Sequence, residues 1–198
     1  MTSHPADVID ALAGIAPGAH LDSIRNLRKQ ARDNAQNSYL ALFAPSDPGD
    51  VPLDDRFVVA TFVASLHGDA TTAAYYADRL DEPCGQSVAT EVALATTKGP
   101  YGAYPKGPLS AEDTPGPAYR VSPPGRACLG ARRAAALEHV HMLVFHPRDS
   151  SPAHLQALLD AGWSTTGIVT LSQLVAFLAF QIRVVAGLRA LAAAPAGA

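Results

Sequence analysis

A long apolar run near the C-terminal end constrains the fold more than any other feature of the chain. From Ile168 the apolar positions continue through Val169, Leu171, Leu174, Val175, Phe177, Leu178, Phe180, Ile182, Val184 and Val185. They cover more than one helical face, so such a helix requires burial on several sides, at the centre of a bundle or in a subunit interface. Ser164 can cap it, and Gly162 ends the short helix before it. Ser172, Gln173, Gln181 and Arg183 interrupt the run, which therefore lacks the unbroken apolar span of a transmembrane helix; no membrane partner is expected.

The rest of the chain also reads as helix. Val8, Ile9, Leu12 and Ile15 lie at helical spacing after Pro5, and Pro17-Gly18 ends that segment. Leu21 to Phe43 carries an apolar stripe with Arg25, Arg28, Lys29, Arg32 and Asp33 between its members, which predicts one long amphipathic helix. Asp54 to Leu66 is rich in Val and Phe but too long and too irregular in alternation for a strand. Gly68 breaks it, Asp69 can cap the following helix to about Asp81, and another helix follows Pro83 to Thr96. Lys98 to Pro124 is loaded with Gly and Pro and reads as a long irregular segment covering a pocket or a neighbouring subunit. Helix returns from Ala127 to Phe145, where Pro147 stops it.

With 198 residues the chain is long enough for one compact domain. Its charged fraction is only 17%, against 48% hydrophobic residues, so part of the apolar surface calls for cover by a second copy and a homo-oligomer is expected. A net charge of -3 and a pI near 6.1, with no cluster of basic residues, argue against a nucleic-acid partner. The first residues show no basic-then-apolar signal pattern, so a cytoplasmic location is expected. Cys84 and Cys128 are far apart in sequence without Cys-x-x-Cys spacing and read as free thiols.

The Asp160-Ala-Gly-Trp-Ser164 helix start and the Phe180-Gln-Ile-Arg-Val-Val-Ala-Gly187 end resemble the closing helices of the carboxymuconolactone decarboxylase and alkylhydroperoxidase D-like superfamily, in its peroxidase-related branch. The resemblance implies an all-α, alkylhydroperoxidase D-like helical bundle over residues 51–191, an N-terminal helical extension over 1–50 and a frayed tail over 192–198. It also implies a redox site, in the family a Cys-x-x-Cys-x-x-x-His run at a helix start. Here Leu66 to Tyr76 occupies that place, with Asp69 and Thr72 where the cysteines would stand and Tyr76 where the histidine would stand. Neither replacement forms a disulfide, so the motif is degenerate. Two functions follow from the resemblance: a peroxidase-related protein without the dithiol, linked to antioxidant defence or small-molecule metabolism, or a catalytically silent structural or regulatory subunit.

Within that stretch His67, Asp69 and Tyr76 are candidates to line a remodelled pocket for a small organic ligand, with His67 or Asp69 as a proton-transfer group. The competing reading makes Asp69 a helix cap and packs the tyrosines. Cys84, close to a helix N-terminus where the dipole lowers a thiol pKa, is a weaker candidate. His139, His141 and His146 do not share a ligand spacing, so no metal is expected, and no cofactor motif is present. Arg56, Gln181 and Arg183 sit in otherwise apolar helices, where the arginines serve either carboxylate pairs with Asp54, Asp55 or Glu91 or the recognition of an anionic substrate.

Overall fold

The hub of the fold is α4 (Leu53–Leu66), which is buried on every side. Its sequence explains this: between Phe57 and Ala64 every residue but Thr61 is apolar, and no face is left polar. A computed structural model describes residues 4–194, in which nine α-helices and no strand occur. Around α4 pack α5 (Ala70–Ala77), α6 (Glu82–Ala95), α7 (Pro123–Phe145) and α9 (Thr165–Ala193), with α8 (Pro152–Asp160) bridging α7 and α9. The fold is all-α.

The apolar C-terminal helix departs from the expectation of all-round burial. α9 buries Leu171, Leu174, Leu178 and Val185 completely but leaves Val169 56%, Phe180 47% and Leu191 49% exposed. It is long and apolar enough to cross a membrane, with a mean hydropathy of 1.9 over its most apolar window, and 44% of that window is buried inside the bundle. Residues 195–198 of the expected frayed tail lie outside the described residues, whereas Ala192 and Ala193 belong to α9.

The single helix expected from Leu21 to Phe43 is two, α2 (His20–Asn26) and α3 (Lys29–Phe43), parted at Leu27-Arg28. The apolar spacing runs through this break, and ion pairs from both sides of it meet on the same two aspartates. Arg25 and Arg32 both converge on Asp7 and Asp10 beside α1 (Val8–Ala13), and Arg32 also reaches Asp22 at 2.6 Å. The three helices are joined to the bundle: α1 packs on α9, and Val8, Ile9, Tyr39 and Phe43 share the main core. α7 also carries a break, at Gly130, where φ is 81°.

One buried histidine makes the core acid-sensitive. His139 is 5% exposed and its Nδ1 has no partner; burial first, then the charge of His154, holds its pKa down to about 4. As pH falls from about 6.5, the unfolded imidazole takes up its proton before the folded one, so stability present above that value is lost down to about 4. Burial shifts His67 and His141 the same way. Urea unfolding between pH 7.5 and 4.5 is expected to lose about 1–2 kcal/mol to His139. His139→Leu should flatten that part of the slope, and an unchanged slope would refute the assignment.

Candidate functional site

His67 ends α4 and stands on the edge of a broad cleft of about 540 Å³. Gly68, at φ 73°, turns the chain back so that Asp69 can start α5 while His67 stays beside the cleft. Another wall is α9, from Ser172 to Arg183, and the end of α7 supplies Leu143 and Phe145, with Pro147 just beyond it. Gly99 and Pro100, the first residues of the long Gly/Pro segment, close one side. The walls are mostly apolar, with an imidazole and a guanidinium as the strongly polar groups.

These two groups sense one another. Burial pushes the His67 pKa down and the charge of Arg183 adds to the effect, so the ring is neutral at neutral pH. His67 Nε2 is buried without a hydrogen-bond partner, an arrangement that costs free energy until a ligand or water supplies one. Arg183 is exposed, and its Nη1 donates to Ala179 O at 3.0 Å. Among the described residues it has no carboxylate partner. A planar fork at one end of an apolar cleft suits a carboxylate.

Asp69 and Tyr76 stand apart from this cleft. Asp69 caps α5, accepting from Thr72 N at 2.9 Å, and pairs with Arg189 of α9, which also donates to Leu12 O at 2.7 Å. It fastens α1, α5 and α9 together. Burial pushes its carboxyl up, but the Thr72 amide and Arg189 outweigh that and hold it below the usual range, so it stays an anion. Tyr76 is fully buried, stacks on Phe43 at 4.8 Å and donates to Gln181 Oε1 at 2.7 Å. Burial raises its hydroxyl well above the ordinary value, which suits a packing role.

Cys84, the weaker candidate, sits in a setting that does not favour its thiolate. Cys84 is the third residue of α6 and its amide is capped by Asp81 Oδ1 at 2.9 Å. Burial raises its pKa, against the pull of Arg133, whose Nη1 lies 4.0 Å from Sγ; the charges of Asp81, Cys128 and Asp54 push the same way as burial. A thiol held above its ordinary pKa favours no thiolate. Among the described residues no three His, Cys, Asp or Glu side chains are arranged to hold a metal ion.

Sequence reasoning missed the end of α7 as a cleft wall and Arg189 as a fastener. Gly99-Pro100 belongs to the segment expected to cover a pocket and borders this cleft, from which Asp69 and Tyr76 stand apart. No family model matches the chain, and neither curated proteins nor solved structures give a match.

Proposed function

We propose that the chain binds a small organic anion in the His67–Arg183 cleft and acts on it by proton transfer without thiol chemistry, as a carboxymuconolactone decarboxylase-like protein that has lost its dithiol. The observation that carries this reading is the meeting of His67 and Arg183, an imidazole and a guanidinium, on the walls of one mostly apolar cleft. Arg183 takes the carboxylate, the apolar walls take the hydrocarbon body, and the neutral imidazole of His67 accepts the proton. Its depressed pKa keeps the basic form populated at neutral pH. Asp69 and Thr72 supply no sulfur, and Cys84 is not activated, so turnover of hydroperoxides with a dithiol donor is not part of this reading.

Benzoate serves as a probe. Titration followed by NMR should shift the His67 ring and the methyls of Val144 and Val175, and Arg183→Gln should weaken binding by about tenfold to a hundredfold, the value of a charged hydrogen-bond pair. His67→Gln should leave affinity within a fewfold and abolish turnover of any substrate found. The absence of any benzoate-induced shift at millimolar concentration would overturn the reading in favour of a catalytically silent subunit.

A further inference from the structure

The long segment between α6 and α7 returns on itself, with Gly102 and Thr114 exchanging backbone hydrogen bonds at 2.8 and 3.2 Å. It is fastened beside the cleft at three points. Tyr101 N donates to Phe145 O at 2.6 Å, Ala103 N donates to Asp149 Oδ1 at 3.1 Å, and the return limb at Pro117 offers its carbonyl to His146 Nε2 at 3.0 Å. His146 Nδ1 lies 3.0 Å from Asp149 Oδ2. Gly102 is required here: its φ is 114°, and a Cβ would stand 2.8 Å from Asp149 Oδ1.

The two contacts of His146 are both with oxygen acceptors. Pro117 O is only an acceptor, so Nε2 must carry hydrogen. Asp149 is also an acceptor, because the Ala103 amide, against burial and together with His146, holds its carboxyl below the usual range. A ring that donates from both nitrogens to two such acceptors is an imidazolium. We propose that a doubly protonated His146 clasps this segment against the end of α7, and that loss of its Nε2 proton to solvent releases the return limb and loosens the Gly99-Pro100 wall of the cleft. The link to ligand access rests on the cleft reading given above; the clasp itself does not.

Other charged or titratable groups surround the ring. His141 of α7 has its ring 6.0 Å away, and Tyr101 of the segment has its ring 5.1 Å away, tilted by 37°. Glu138 of α7, Arg120 of the return limb and His154 of α8 line the same small cavity of about 130 Å³, and Arg148 lies between His146 and Asp149 in sequence. Asp149 is the carboxylate in direct hydrogen-bond contact, so it carries the largest share of the pairing. Once the ring is neutral its remaining proton stays on Nδ1 with Asp149, and the Pro117 contact is the one lost.

Amide hydrogen exchange on the ligand-free protein tests this. Protection factors of Gly102, Ala103 and Thr114, corrected for intrinsic exchange, should fall by about tenfold to a hundredfold between pH 5.5 and 8.5, the factor one charged hydrogen bond supplies. The midpoint should coincide with titration of the His146 ring seen by NMR. In His146→Gln the protection should be low and independent of pH. If that variant does not fold, the coincidence of midpoints in the wild type, and its loss in Asp149→Asn, decides the matter. Flat protection factors, a fall that persists in His146→Gln, or a midpoint away from the His146 titration would overturn the proposal. A failure of benzoate to bind leaves this result unaffected, and a flat exchange profile leaves benzoate binding unaffected.

Discussion

Replacing Arg56 by Met is expected to lower stability by about 3–5 kcal/mol, the range for breaking a buried charged hydrogen-bond network. Arg56 is 5% exposed and holds the loop between α3 and α4 through main-chain carbonyls alone. Nε donates to Val51 O at 2.9 Å, Nη1 to Leu42 O at 2.7 Å and Nη2 to Pro48 O at 2.7 Å. The guanidinium thus replaces the backbone partners that an irregular loop over a buried helix lacks. Methionine fills the volume but removes the donors that Leu42, Pro48 and Val51 O, and at 3.4 Å Ala41 O, receive from the guanidinium. Arg56→Lys should recover less than half of the loss, because one ammonium cannot span three acceptors set in different directions. Urea denaturation measures both, and a loss under about 1 kcal/mol in Arg56→Met would show that water replaces the guanidinium.

The same residue shows what the sequence could convey. An arginine inside an apolar helix announces a buried polar cluster, but Asp54, Asp55 and Glu91 looked like its partners, and none of them is. Asp55 turns to α7, where Arg133 Nε donates to it at 2.7 Å and Arg132 joins from the same helix. Glu91 faces Tyr119 and Ser122. Neighbours along one helix turn by about 100° per residue, so Asp55 and Arg56 serve different sides of α4. Helix ends were easier to read, because caps are local: Asp69, Ser122 and Ser164 each accept from the amide three residues on. The break at Leu27-Arg28 has no local mark: the apolar spacing continues across it.

The candidate site was half legible for a similar reason. At the start of a helix, a capping aspartate and a catalytic aspartate give the same pattern, and only Arg189, 120 residues later, decides that Asp69 is a fastener. Tyr76 lies one turn beyond Thr72 on the inner side of α5, where Phe43 and Gln181 enclose it. His67 and Arg183 could be named individually from their settings, but their meeting across one cleft depends on how α4 and α9 cross. No spacing in the sequence encodes that crossing.

Gly125→Ala should cost about 2–4 kcal/mol, although glycine to alanine within a helix ordinarily stabilises. A Cβ at residue 125 would lie 2.1 Å from Glu91 Oε1 and 2.7 Å from its Cδ, and the carboxylate has nowhere to go. Glu91 is fully buried and accepts from Tyr119 Oη at 2.6 Å, from Ser122 N at 3.2 Å and from Ser122 Oγ. Ser122 Oγ also caps α7 by accepting from Gly125 N at 3.0 Å, so displacing Glu91 disturbs the start of that helix as well. Gly187→Ala, in α9 with nothing within 4 Å of the new Cβ, is the matched control and should gain up to about 1 kcal/mol. A double-mutant cycle separates steric conflict from a general intolerance at residue 125. In an Glu91→Ala background the same Gly125→Ala change removes the clash, and its cost should shrink to within about 0.5 kcal/mol of zero. Equal costs in both backgrounds would mean that the close approach of Gly125 to Glu91 is not what fixes the glycine.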